Sequence, residues 1–442
     1  MASMQDCPIP VPHWSTPRMQ PSKSKMRILI LVDCYLPGTK SGAKQIHDLG
    51  VEAVRQGHEV TVLTPSDMIS QGVEISLEEG LRVVRVRTRK IKGANKVLRA
   101  LEETRLSTTL WNATKHFLCQ NPCDLIIFYS PTIFFGGLVQ KLKARWHCPS
   151  YLILRDIFPQ WALDLGILRR NLVFAYFRRQ ELQQYAAADI IAVQSKADLD
   201  YFARELPDDH HRLEVLYNWM ALEEPILPRT GYRTQLGLQD KVVFFYGGNV
   251  GVAQDMDNIL RLAENLSGHH EVYFLLVGDG SMVKQLKRSI VRRGLDNIQI
   301  LPPVGQQEYL SIVSEIDVGI VSLDRRLKTH NIPGKTLSYL YWSKPVLASI
   351  NPGNDLFDLL TESNAGLCFV NGEDEGFSAA ALRLANDPAL RASMGRNSRR
   401  LLEPIFSAEP ALHQIMKHFP SAACTGEAGE TVLRPRCFTS AY

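Results

Sequence analysis

Long apolar runs are missing from this sequence: none approaches the roughly 20 residues that a membrane-spanning helix requires, and the stretch before Met26 lacks the apolar segment of a secretory signal. A protein of membrane-spanning helices is excluded on that ground. Cysteine is sparse and scattered. Among the eight (Cys7, Cys34, Cys119, Cys123, Cys148, Cys368, Cys424 and Cys437), the one close pair is Cys119 and Cys123, and no second pair or histidine pair stands at metal-site spacing. They read as reduced thiols of a cytoplasmic protein, and no metal site is expected. The G-x-G-x-x-G fingerprint is absent, which argues against an NAD-dependent dehydrogenase. No charge sign dominates either: a formal net charge of +4 is too small for a dedicated nucleic-acid binder, so any electrostatic function must be local.

What is present points to two cores. The 442 residues, 45% hydrophobic and 22% charged, exceed the roughly 250 to 300 at which a single core stops growing. From Met26 onward, short β-rich apolar runs alternate with amphipathic stretches, the pattern of βαβ units in a parallel sheet. The first series of strands is expected at 27–33, 59–64, 82–87, 124–129, 150–155 and 189–194. A second is expected at 241–248, 271–278, 297–301, 317–323 and 344–350. Between them the segment EEPILPRTGYR breaks the rhythm with two prolines and a glycine. The expected fold class is α/β, with two Rossmann-like parallel-sheet domains facing across a cleft. The expected divisions are a disordered extension at 1–25, with Met26 as an alternative start, an acceptor-binding domain at 26–220 and a linker at 221–238. A nucleotide-sugar domain at 239–405, a helix at 406–420 returning toward the first domain and a loose tail at 421–442 complete them.

Ligands of open parallel sheets bind beyond the carboxyl ends of the strands, so the loops there hold the candidate residues. The first loop carries Ser41-Gly42 at a helix start, where backbone amides and a positive dipole end can meet negative charge; a plain strand-to-helix turn is the alternative. The second series opens with Tyr246-Gly247-Gly248-Asn249-Val250-Gly251, and its next strand ends in Gly278-Asp279-Gly280-Ser281. Two glycine turns in successive units favour a nucleotide site over mere punctuation. Asp255 and Asp257 form a D-x-D, but residues two apart on a helix do not face each other, and a solvated first turn explains them better. The loop RRLKTHNIPGK places Arg325, Arg326, Lys328, His330 and Lys335 around a Pro-Gly turn, where cations can neutralise a departing diphosphate. Arg155-Asp156 follows a strand of the first half, and Asp156 can orient or deprotonate an acceptor hydroxyl or simply cap a helix.

Taken in order, these motifs resemble the retaining GT-B glycosyltransferases of the group 1, family 4 type, and among them bacterial transferases of O-antigen and envelope polysaccharide synthesis. The resemblance runs from about Met26 to Phe419. It rests on Tyr35-x-Pro37 with Ser41-Gly42, GHEVTVLT at 57–64, RDIFP at 155–159, YNW at 217–219, YGGNVG at 246–251, LLVGDGS at 275–281, LPPV at 301–304 and IPGKTLSYLYWSKPVLAS at 332–349. It implies a catalytic set of Asp156, Gly42, His330 and Lys335. The implied donor set is Gly247, Gly248, Asn249, Gly251, Gly278, Asp279, Gly280, Val304, Lys335 and Ser338, with Ser41, Gly42 and Arg155 on the acceptor side. Two pairs of positions depart from the family. His330 and Ser338 stand where it commonly carries a pair of glutamates, and Asn249 and Gln254 stand where many members carry an arginine and a lysine.

The function expected from this resemblance is transfer of a sugar from a nucleotide diphosphate donor, UDP-linked by expectation, to a lipid-linked or polysaccharide acceptor. The resemblance implies retention at the anomeric carbon without a metal, and no cofactor is expected beyond the substrate itself. A nucleotide-sugar epimerase on the same fold, or a nucleotide-binding scaffold with a degraded site, is the alternative. The expected partners are a nucleotide-sugar donor, a lipid-linked glycan acceptor and the anionic inner face of the cytoplasmic membrane, with no nucleic acid. The membrane patch is expected at Arg87, Arg89, Lys90 and Lys92, inside a stretch from Arg82 to Arg99 that has no acidic residue. The stretch Leu168–Arg179 adds apolar contact if its aromatics are exposed, although Phe174 and Phe177 are expected against the sheet.

Overall fold

The computed structural model describes residues 25–38, 41–88, 102–205, 212–222 and 231–419. Eight strands form the first sheet: β1 (Arg27–Leu31), β2 (Glu59–Ser66), β3 (Val73–Glu78), β4 (Leu81–Arg87), β5 (Leu125–Tyr129), β6 (Ser150–Ile153), β7 (Ile190–Val193) and β8 (Leu213–Val215). Their spatial order is β3-β4-β2-β1-β5-β6-β7-β8, parallel throughout except for the β3–β4 hairpin. Six strands form the second: β9 (Val242–Gly247), β10 (Val272–Val277), β11 (Ile298–Leu301), β12 (Val318–Ser322), β13 (Val346–Ile350) and β14 (Gly366–Val370), in the order β11-β10-β9-β12-β13-β14 and all parallel. Each sheet therefore reverses its winding once, between β1 and β5 and between β9 and β12. A crevice opens at such a reversal.

Side-chain alternation builds a core on each face of each sheet. Along β1, Ile28 and Ile30 pack with Val60, Val62 and Tyr151 under the helix Ser41–Arg55. Leu29 and Leu31 face the other way, onto Phe128, Leu138 and Tyr185. The second sheet repeats this, with Val243 and Phe245 on one face and Phe244 and Tyr246 on the other.

Three strands escape the sequence pattern. β3 is an edge hairpin arm whose Ile75 and Leu77 lie 51% and 77% exposed, so no buried stripe marks it. β8 has three residues, and β14 opens on a glycine and is only partly buried along its length. Of the expected linker, residues 223–230 lie outside the described residues. Gly231 onward packs on the second unit, where Arg233 pairs with Asp317 and donates to the Glu315 carbonyl. The chain returns at Phe406, which accepts from the amide of Met220, and the helix Ala408–Met416 buries Ala411, Leu412 and Ile415 in the core beside Trp219. Arg89, Lys90 and Lys92 of the expected membrane patch also lie outside the described residues. Arg87 is exposed and donates to the Ser70 carbonyl.

Candidate active site

A cavity of about 220 Å³ lies between the two units, lined from the first by Arg155, Asp156, Trp161 and Asp198, and from the second by Asn249, Gln254, Thr329 and His330. The loops and first helical turns that follow β6, β7, β9 and β12 supply these groups, so the cavity stands where the two sheets end their strands toward each other. Of the residues named from the sequence, Arg155, Asp156, Asn249 and His330 meet here. Burial pushes the Asp156 carboxyl upward, against the attraction of Arg155 and aided by Asp33, while an Asn331 hydrogen bond holds it down. Such a group holds its proton more readily than a surface aspartate, as a carboxyl must if it is to accept one from an acceptor hydroxyl.

Arg155 is committed to the wall. Its Nη2 donates to Gln45 Oε1 at 2.9 Å, and its guanidinium lies 5.8 Å from the Tyr129 ring centroid and 5.5 Å from that of Trp219. The Gln194 amide, turned with its oxygen inward, accepts from Arg155 Nε and Nη1. Burial lowers the pKa of this guanidinium. Arg155 thus braces the loop that presents Asp156.

His330 joins the two units. Its backbone amide donates to Asp198 Oδ1 at 2.8 Å, its Nδ1 stands 3.6 Å from the same oxygen, and its Nε2 donates to the Pro352 carbonyl at 3.0 Å. Burial lowers the imidazole pKa, but the carboxylate and the carbonyl outweigh it, and the net shift is upward. Asp198 is 2% exposed, and burial pushes its carboxyl up in spite of His330. Both shifts are upward because desolvation governs the carboxylate and the partner governs the imidazole. No pattern singled out Asp198. The one available signal, Ser195-x-x-Asp198, has the form of a capping box. Ser195 Oγ does accept from the Asp198 amide at 3.1 Å, but the carboxylate leaves the helix for His330.

The remaining candidates gather at the carboxyl end of β9. Lys335 opens the helix Gly334–Tyr341, with its Nζ 3.4 Å from the Tyr246 ring centroid. No carboxylate among the described residues pairs with it, and burial pushes its pKa well below that of an ordinary lysine. A Cβ on Gly248, whose φ is +123°, would lie 3.5 Å from Lys335 Cε, so the lysine lies along the glycine turn. That turn is braced from behind. The amides of Gly248 and Val250 donate to the Val277 and Asp279 carbonyls, and a Cβ on Gly278 would strike the Gly248 carbonyl at 1.8 Å. Gly247 donates to the Tyr339 hydroxyl and Gly251 to Gln254 Oε1. The glycines at 278 and 280 therefore allow one turn to lie on the other, and four amides of the 247–251 turn are engaged inside the protein. Asp279 closes on the amide of Gly280. Asn249 Nδ2 donates to Gln254 Oε1 at 3.1 Å, so the two positions where many members carry an arginine and a lysine form a neutral amide pair here.

Ser338 reaches the Tyr309 hydroxyl from the next turn of the Lys335 helix. Val304 packs half-buried on the second core. Ser41 and Gly42 sit apart from the cavity lining: Gly42 lies against the Tyr129 ring, and Ser41 lies opposite Gly334. Neither carboxylate of the D-x-D is free. Asp255 accepts from Asn371, and Asp257 pairs with Arg261 and Arg293.

Comparison with known proteins agrees with this architecture. The chain is 24% identical over 237 residues to the probable glycosyltransferase WbjE of Pseudomonas aeruginosa, a match that covers 52% of this chain and 58% of that protein. It is 28% identical over 109 residues to the putative colanic acid biosynthesis glycosyl transferase WcaI of Escherichia coli K12, covering 24% of this chain and 26% of that one. The matched stretches thus span little more than half of the first relative and a quarter of the second. Among solved structures, Anabaena Alr3699/HepE in complex with UDP and glucose superposes with a TM-score of 0.63 at 16% identity, over 89% of this chain and 99% of that one, a likeness of fold. Two family models divide the chain between its sheets: Glycosyltransferase Family 4 matches residues 42–224, and Glycosyl transferases group 1 matches residues 229–401. With both halves matched in order and the two sheets of a GT-B fold facing across the cavity, the chain belongs to the group 1 glycosyltransferases.

Proposed function

We propose that the protein transfers a sugar from a nucleoside diphosphate sugar, UDP-linked, to a lipid-linked or polysaccharide acceptor during bacterial envelope polysaccharide synthesis. The observation that carries this reading is Lys335: a half-buried lysine without a carboxylate partner among the described residues, laid along a glycine turn at the winding reversal of the second sheet. A buried cation with no counter-charge is costly unless an anion completes the site. The second unit accordingly holds the donor, with its diphosphate against Lys335 and the start of the Gly334–Tyr341 helix. Asp156 faces the acceptor from the first unit. The bond from the anomeric carbon to the diphosphate oxygen breaks as the acceptor oxygen bonds to that carbon. The acceptor proton passes to the departing diphosphate on the same face, which retains the configuration. Charge compensation comes from Lys335 and the helix amides, so a chelator leaves turnover unchanged.

UDP in the Anabaena structure and the colanic acid role given to the Escherichia coli relative support the donor and pathway assignments. In this reading the protein works at the inner face of the cytoplasmic membrane, where it would meet a lipid-linked acceptor. The test is a panel of nucleotide sugars assayed for nucleoside diphosphate release with and without lipid-linked acceptor. Release from one donor that rises with acceptor supports the reading, and silence across the panel overturns it.

A further inference from the structure

The helix Leu172–Ala187 is apolar on the wrong side. Its inner face buries Glu181, Gln184 and Tyr185, yet Leu172 is 88% exposed, Val173 50% and Tyr176 37%, and Ile167 in the preceding turn is 52% exposed. Leu172, Tyr176 and Arg179 recur at four- and three-residue spacing and so share one stripe. Arg169, Arg170 and Arg179 are exposed around that stripe, and no acidic residue occurs between Leu165 and Gln180. The first acid, Glu181, is buried and answers Arg178 at 2.7 Å, so it does not offset the outer arginines. The aromatics divide: Phe174 and Phe177 are half-buried, and Phe177 packs against Phe158.

We infer that this helix face docks on an anionic lipid bilayer, with Ile167, Leu172 and Val173 entering the headgroup boundary and the three arginines meeting lipid phosphates. Apolar side chains rimmed by cations that have no acidic partner among the described residues are the combination such an interface favours; Tyr176 is held at the edge of the stripe by Thr104, and the arginines on the acid-free stretch Leu165–Gln180 select an anionic partner. The face also adjoins the site. Trp161 lines the cavity, its ring packs on Phe158 at 5.9 Å, Phe158 packs on Phe177 at 5.0 Å, and Phe177 packs on Tyr176 at 5.5 Å. Four rings thus connect the cavity wall to the docking stripe, and a headgroup held at the stripe lies on the Asp156 side of the cavity. The inference rests on the membrane location proposed above and assigns it to residues different from Arg87, Arg89, Lys90 and Lys92.

The experiment is cosedimentation of the full chain with vesicles of phosphatidylcholine alone or with about 30 mol% phosphatidylglycerol. It compares wild type, L172S/V173S and R169S/R170S, with thermal melting to confirm that each variant folds. Wild type binds the anionic vesicles alone; L172S/V173S binds at least about tenfold more weakly, and R169S/R170S loses most of the salt dependence. Nucleoside diphosphate release without lipid is unchanged in both variants, which separates failure here from failure of the transfer reading. Equal vesicle binding by all three proteins overturns the inference. So does a wild type that ignores vesicles, and so does self-association of wild type in sedimentation that L172S/V173S abolishes without any effect on vesicle binding, which would give the face to a second copy.

Discussion

In the proposed reading, Lys335 concentrates the chemistry of the donor side in one ammonium group. Removing it leaves a departing diphosphate without its nearest cation, and one such electrostatic group contributes about 2.7 to 4 kcal/mol to a transition state. Lys335→Ala should therefore lower turnover about a hundredfold or more with little change in melting temperature, measured by nucleoside diphosphate release. The group's depressed pKa adds a pH signature. Only the charged form meets the diphosphate, so kcat/KM for the donor falls as pH rises through that lowered value, well before an ordinary lysine would titrate. A Lys335→Arg variant, charged throughout, should lack this alkaline limb. The placement of Lys335 beside Pro-Gly at a helix start is legible in the sequence, and the structure puts it there. For Arg155 the sequence shows a cation beside Asp156 but not the Gln45, Gln194 and aromatic faces that enclose it, because those contacts have no spacing in the chain.

Between elements, the decisive contact is the one from the helix Lys196–Glu205 to the loop after β12. Asp198 and His330 close the cavity from opposite units, and Asp355 repeats the motif by accepting from the Lys196 amide and the Tyr217 hydroxyl, each at 2.8 Å. The His330 pKa is raised in the folded protein, so its contribution is present in full below the unfolded value of about 6.5 and is lost as pH rises through the higher folded value. The melting temperature of wild type should thus exceed that of His330→Gln at pH 6, and the gap should close toward pH 8.5. At 3.6 Å the Nδ1–Oδ1 contact is an ion pair too long for a hydrogen bond, so its pH-dependent contribution is Coulombic. A gap that is constant with pH would refute the assignment. The strands around these elements were legible from alternating apolar runs, with ends off by a residue or two. β3 was not, because an edge arm with both faces partly wet leaves no periodic signature. Asp198 was not, because contacts between units have no spacing in sequence.

Over the whole molecule, the two-sheet plan followed from repeated strand and helix periods, while the return of the chain end to the first unit is a matter of packing. Leu412, fully buried beside Trp219, measures that packing. Leu412→Ala should cost about 2 to 5 kcal/mol, read as a lower unfolding midpoint in denaturant with the donor-binding affinity of the second unit retained. The same return has a mechanical result. The outgoing chain at Met220 and the incoming chain at Phe406 and Ser407 lie side by side, joined by a parallel bridge and a 2.9 Å hydrogen bond. Together with the Asp198–His330 and Lys196–Asp355 contacts, this strap ties the two units at separate places along the seam, so they are joined by more than the one connection between them.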